Sequence, residues 1–254
     1  MNITFLGTGT SAGIPVIACP CEVCHSTDTR NRRTRASVLL SWKSKNVLID
    51  TSTDLRAQAL REHISHVDAI LYTHSHADHI LGLDDIRPFN FWQKSAIPMY
   101  GRPETLSHIR RAFPYIFESS SALSIIPQVE DFEIDGPFKL FDMDILPVPI
   151  LHGPNEIIGY RIGRFAYLTD FKSIPPSSVS LLADLDVLVL DALRRRPHPT
   201  HSSLDDSIAW ARRLKPGRTY FTHMCHDLDH ESTEQALPPD IRLAYDGLQI
   251  VLES

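Results

Sequence analysis

The chain has 254 residues, of which 43% are apolar, 22% charged and 8% aromatic; this composition excludes disordered, collagenous and coiled-coil classes and leaves ample material for a buried core. With 25 Lys and Arg against 31 Asp and Glu, the net charge is −6 with His neutral, a balance that disfavours an extended nucleic-acid or anionic-membrane footprint but leaves room for a local basic pocket. Layered α/β folds often use roughly 200–250 residues as one unit, so a single domain over residues 1–254 is expected.

No apolar run approaches the roughly 18–20 residues needed to span a bilayer. The sequence opens MNITFLGTGTSAG, without a basic stretch ahead of an apolar one. No secretory leader is therefore read, and the cytoplasm is the expected compartment. Four cysteines in such a chain read as reduced, and Cys19, Cys21 and Cys24 stand at a spacing that suggests a metal rather than a disulfide.

In chain order, β-rich runs at residues 3–6, 36–42 and 46–49 read as strands, the last two joined by a hairpin turn at Lys43-Ser44-Lys45. A helix at 55–63 follows the polar stretch from Asp50 to Asp54, and a buried-type strand spans 69–72. The region around Pro88, Pro98, Pro103 and Pro114, with one helix at 104–112, is the most irregular and reads as a lid over the site. Strands return at 123–129, 138–141, 144–151, 157–162 and 165–168, with a tight turn at Gly163-Arg164. A helix near 177–183, a strand at 187–191, an amphipathic helix at 203–214 and a strand at 218–222 then alternate as α/β units do. The economical arrangement is two sheets packed face to face with helices outside, a four-layer αββα sandwich.

The densest chemistry is Thr73-His74-Ser75-His76-Ala77-Asp78-His79, an HxHxDH pattern directly after an apolar strand. In an extended segment His74 and His76 point to one side, and a helix starting near Ala77 would project Asp78 and His79 from its first turn toward the same space. Imidazoles with a carboxylate suit Zn, Mn or Fe and leave positions open for water, as a catalytic centre requires. Further donors end apolar runs: His152 after 145–151, Asp170 after 167–169 and His223 after 220–222. Asp170 as a shared carboxylate would let two cations sit roughly 3.5–4 Å apart. A tetrahedral site at the three cysteines needs a fourth ligand from elsewhere, for which Cys225 and His226 are candidates and His25 is poorly placed.

With these residues in view, the chain resembles the metallo-β-lactamase superfamily from the N-terminal GTGTSAG through HSHADH to the terminal AYDGLQI. The resemblance implies one metal on His74, His76 and His152, a second on Asp78, His79 and His223, and Asp170 bridging. It also implies that Asp50 orients the histidine loop, whereas the residues alone equally allow a helix N-cap. The CxCxxC insertion is similar to that of the PhnP-type phosphodiesterases, in which the fourth structural zinc ligand corresponds to His226; the neighbouring Cys225 keeps a four-cysteine site open. In the loop after 187–191, His201 looks like the PhnP-type histidine that contacts phosphate and assists the leaving group, against a helix-capping alternative. Arg194, Arg195 and Arg196 could grip a phosphate or form a solvated turn, and Arg30, Arg32, Arg33 and Arg35 carry the same ambiguity.

The function so implied is a dinuclear metallohydrolase with Zn or Mn at the active site and one structural zinc, acting on a small cyclic ribose-phosphate or nucleotide-like diester. Its nucleophile would be a hydroxide between the metals, oriented by Asp78, with His201 at the leaving oxygen. The branch also implies a homodimer. The alternatives are a lactonase or other ester hydrolase of the same fold, or a non-catalytic PqqB-like binding protein, which would be expected to have damaged ligands.

Overall fold

The computed structural model describes residues 1–117 and 126–252. The chain divides into two compact units, one of Met1–Gly7, Ser37–Asp135 and Gln249–Ser254, the other of Thr8–Ala36 and Gly136–Leu248. Among the described residues no helix is long and apolar enough to cross a membrane.

The first unit contains β1 (Asn2–Gly7), β2 (Ser37–Trp42), β3 (Lys45–Ile49), α1 (Leu55–Arg61), β4 (Ala69–Leu71), α2 (Ala77–Ile80), α3 (Arg87–Gln93), β5 (Ile97–Gly101), α4 (Pro103–Ala112), α5 (Pro114–Phe117) and β6 (Val129–Glu133). These strands run β1-β2-β3-β4-β5-β6 across one mixed sheet, and the late strand Gln249–Val251 adds to the free side of β1. The expected hairpin is present: β2 and β3 are antiparallel with Trp42 opposite Lys45. From β3 onward the pairing is parallel, so β3, β4 and β5 end at the same edge. Leu48, Ile70 and Met99 of the sheet pack with Leu55, Phe89, Leu106 and Ile109 of the helices, all of them buried.

The proline-rich middle is more regular than the sequence suggests. Pro88 lies in the first turn of α3, Pro103 opens α4 and Pro114 opens α5, positions where a missing N–H costs nothing because those amides have no helical partner. The same stretch supplies β5, which pairs with both β4 and β6. The expected strand at 123–129 falls partly outside the described residues, and the observed strand begins at Val129.

The second unit contains β7 (Phe138–Leu140), β8 (Met143–His152), β9 (Asn155–Ile162), β10 (Phe165–Leu168), α6 (Pro176–Val179), β11 (Val187–Asp191), α7 (Leu204–Leu214), β12 (Arg218–Thr222), α8 (His230–Ala236) and β13 (Ile241–Leu243); Gln249–Val251 is then β14. Its sheet runs β13-β12-β11-β10-β9-β8-β7. β10 through β13 are parallel, and β9 is antiparallel to both β8 and β10. Hence β8, β10, β11 and β12 all end at one edge. β11, Val-Leu-Val-Leu-Asp, is buried throughout, as expected of a parallel strand covered on both faces. Leu204 and Ala211 of α7 pack with Leu188, Leu190 and Phe221 of the sheet. A reciprocal cap starts α7, Ser203 Oγ accepting from Asp206 N at 3.2 Å and the Asp206 carboxylate accepting from Ser203 N at 3.3 Å. The α/β class expected from the sequence holds in each unit.

Candidate metal centre

In the first unit the donors follow β4. Asp50, at the end of β3, is fully buried and has a positive φ of 63°, a backbone region that aspartate tolerates better than most residues. From there its carboxylate ties the histidine loop together: Thr73 N donates to Oδ1 at 2.8 Å, Thr73 Oγ1 to Oδ2 at 2.7 Å, and His79 Nδ1 to Oδ2 at 2.7 Å. Burial pushes the Asp50 carboxyl up, opposed by the His79 and Thr73 donors. Asp50 thus orients the loop, and the N-cap position of α1 belongs to Asp54.

α2 starts at Ala77, so Asp78 and His79 lie in its first turn. Because Nδ1 of His79 serves Asp50, Nε2 is the nitrogen available to a metal, and it stands 3.3 Å from Asp78 Oδ2. Two ligands that each bind one cation at about 2.0–2.2 Å are about 3 Å apart. The His74 ring centre lies 4.6 Å from that of His76 and 4.3 Å from that of His79.

In the second unit the donors gather at the shared strand edge. His152 ends β8, Asp170 lies just past β10, Asp191 ends β11 and His223 lies just past β12. Asp170 and His223 also have positive φ, 58° and 56°, which turns both side chains off their strands. His223 Nε2 is 3.2 Å from Asp170 Oδ1, again the spacing of two ligands on one cation, and Thr169 Oγ1 donates to Asp170 Oδ2 at 2.7 Å. His152, Asp170 and His201 bring donor atoms within 4.8 Å of one another, as do Asp191, His201 and His223. Both donor sets therefore fit divalent cations by residue type and spacing.

Asp191 is the residue that the sequence reading passed over. His201 Nδ1 donates to its Oδ2 at 2.7 Å, and the His201 ring stacks on that of His223 with centres 5.0 Å apart. Burial pushes the Asp191 carboxyl up, against the pull of His201. The signal was present: Asp191 ends an apolar run just as His152, Asp170 and His223 do. His198 also lies nearby, its ring centre 5.1 Å from that of His201, and burial pushes its pKa down.

The arginine-rich turn is braced internally. Arg194 donates to Arg196 O and Pro197 O, Arg195 to Thr233 Oγ1, and Arg196 faces Asp227 at 3.8 Å. Of the other group, Arg30 bridges Asp28 and Glu231, Arg35 donates to Ser11 O, and Arg33 is buried.

The cysteine cluster lies wholly in the second unit. Cys19, Cys24 and Cys21 Sγ stand 3.2, 3.6 and 3.7 Å from His226 Nδ1. Tetrahedral zinc with Zn–S near 2.3 Å and Zn–N near 2.0 Å separates its sulfur and nitrogen ligands by about 3.5 Å, so these four residues fit the ion. Cys225 is outside the group, its Sγ accepting Asp227 N at 3.4 Å. His25 turns its Nδ1 to Cys21 O.

Comparison with known proteins places this geometry in a family. The Beta-lactamase superfamily domain matches residues 45–224. The crystal structure of a diphosphatase from the PhnP family superposes with a TM-score of 0.93 at 49% identity, covering 99% of this chain and 98% of that one. An octanoyltransferase of Porphyromonas gingivalis is 35% identical over 258 residues, 100% of this chain and 52% of that protein. A ribonuclease Z of Clostridium acetobutylicum is 26% identical over 141 residues, 51% of this chain and 44% of that protein. The chain thus spans about half the length of the curated relatives it matches. It belongs to the metallo-β-lactamase superfamily, whose hydrolases use divalent metals, typically zinc, and within it to the PhnP-type branch.

Proposed function

We propose that this chain hydrolyses phosphoester bonds in small substrates, with His74, His76 and His152 serving one divalent cation, Asp78, His79 and His223 a second, and Asp170 both. The observation that carries this reading is the His201–Asp191 pair. His201 Nδ1 is committed to a buried carboxylate while its ring lies among the donors of Asp170, His152 and His223. Protonated on both nitrogens, a ring so held keeps Nδ1–H on Asp191 and presents Nε2–H as the proton donor; giving that proton up leaves the neutral imidazole, which solvent recharges before the next turnover. Divalent cations bound by these donors would lower the pKa of water and neutralise charge growing on the phosphoryl oxygens.

The chain's own part in the reaction then divides by residue. Asp50 fixes His79 in the tautomer that presents Nε2, and Thr73 steadies the same carboxylate. His201 delivers a proton to the departing oxygen, and Asp191 stabilises the imidazolium formed on recharging. The 49% identical diphosphatase and the ribonuclease Z support attack at phosphorus as the common chemistry. Within that class we favour small cyclic ribose phosphates and nucleotide-like diesters, with a phosphoanhydride between two phosphoryl groups as the neighbouring possibility. The braced Arg194–Arg196 turn leaves substrate charge mainly to the cations and His201.

A second reading, hydrolysis of acyl esters or thioesters, draws support from the octanoyltransferase that matches along this whole chain. Metal-supplemented assays on bis(p-nitrophenyl) phosphate, a nucleoside diphosphate ester and p-nitrophenyl octanoate separate the readings. Turnover of phosphorus substrates that disappears in Asp170→Ala supports the first. Turnover of the octanoate alone supports the second.

A further inference from the structure

Arg33 heads the largest fully buried side chains, with 1% of its surface exposed. A residue needed only to fill that space would be apolar, since burying a guanidinium costs free energy unless its N–H groups are satisfied. Here the fork is spent on carbonyls: Nε donates to Arg30 O at 3.3 Å, Nη1 to Cys225 O at 3.1 Å, and Nη2 to Leu228 O at 2.7 Å and Asn31 Oδ1 at 3.0 Å. Burial pushes its pKa down to about 10, with Asp246, Cys225, Asp229 and Asp28 working the other way, so it remains charged near neutrality.

Two of those acceptors flank His226, and the main chain of the same arginine holds the opposite wall. Ile14 N donates to Arg33 O and Arg33 N to Ile14 O, both at 2.8 Å. Two residues further on, Val16 N donates to Cys24 Sγ at 3.3 Å. Asn31 extends the brace, donating to Asp229 Oδ2 at 2.8 Å and accepting from His230 N at 2.9 Å.

We propose that Arg33 is a positioning residue for the Cys19–Cys21–Cys24–His226 site, its backbone anchoring the cysteine loop and its guanidinium anchoring the segment from Cys225 to Leu228. This inference rests on reading that cluster as a metal site. It explains why the sulfurs already stand 3.2–3.7 Å from His226 Nδ1. Lysine cannot replace it, because one ammonium on a flexible stem does not reach three carbonyls in fixed directions.

The test is Co(II) titration of the metal-stripped full chain, followed through the thiolate-to-cobalt charge-transfer band, which reports the cysteine site and not the histidine sites. Arg33→Lys should weaken cobalt binding at that band about 10–100-fold, the usual cost of losing a residue that orients a ligand. Asn31→Ala should weaken it less, and the surface variant Arg213→Lys should match wild type. Arg33→Lys that unfolds at lower urea yet binds cobalt as wild type does would overturn the proposal. Should that variant not fold, Asn31→Ala decides, and unchanged cobalt affinity there rejects it. Absence of the band in wild type would instead sink the metal-site reading and the inference with it.

Discussion

His201 and Asp191 form a hydrogen-bonded pair at 2.7 Å in which the carboxylate is fully buried and the imidazole keeps 13% of its side chain exposed. One partner thus sees only protein while the other can meet a substrate and exchange a proton with water. Replacing His201 with alanine is expected to lower kcat about 10²–10⁴-fold for a diester with an alkoxide leaving group, and far less for p-nitrophenolate, which departs without a proton. Equal losses on both substrates would remove His201 from the proton-donor role. Asp191→Asn should follow the same leaving-group pattern with a smaller loss.

Asp50→Asn tests the histidine loop. Asparagine tolerates the positive φ at this position but replaces one carboxylate oxygen with a donor facing Thr73 and His79. Metal affinity at the histidine sites should fall about 10–100-fold, measured by chelator competition. Retention of wild-type affinity would reduce Asp50 to a folding role.

Gly82 follows the HxHxDH segment and donates its N–H to Thr51 O at 3.0 Å. A Cβ built there would lie 2.0 Å from Ser52 O and 2.9 Å from Leu55 Cβ, both on the packed side of the first unit. Gly82→Ala should therefore destabilise the fold by about 1–3 kcal/mol, read by urea unfolding. A loss below about 0.5 kcal/mol would mean that the contact relaxes freely, as surface substitutions do.

His230 gives a pH dependence. Burial, followed by Arg30 and Arg33, pushes its pKa from 6.5 down to about 4. Between those values the unfolded chain binds a proton that the folded chain does not, so stability falls as pH drops from about 6.5 toward 4, by an amount of the order of 2 kcal/mol for this one group. Urea midpoints of wild type and His230→Gln should converge over that range. Parallel profiles would refute the assignment.

Much of this architecture was legible because hydrophobic patterning is strong where burial is continuous or regularly periodic: β11 and β12 were read with their observed bounds, and α7 within one residue of its start. α3, β5, α5, α8, β13 and β14 were missed. β5 is as long as β11 but is buried only at alternate positions, and Pro88 and Pro98 read as breakers when in fact one lies in a helix's first turn and the other within a strand. At the candidate site, the ligand types stood out as a dense motif and as polar residues ending apolar runs. Asp191 ends an apolar run in the same way, but nothing else in the sequence gave it a role, because its importance depends on a partner ten residues later that only the folded loop brings back. The brace from Arg33 was illegible for the same reason, its acceptors lying 192 and 195 residues away.

Metal-dependent phosphoester hydrolysis is tested by stripping the protein of metal, reconstituting it with Zn or Mn, and following hydrolysis of bis(p-nitrophenyl) phosphate beside p-nitrophenyl octanoate, with Asp170→Ala in parallel. Metal-restored phosphodiester turnover that the variant lacks is the predicted result. Metal-loaded protein that leaves the phosphodiester intact while cleaving the octanoate would contradict it.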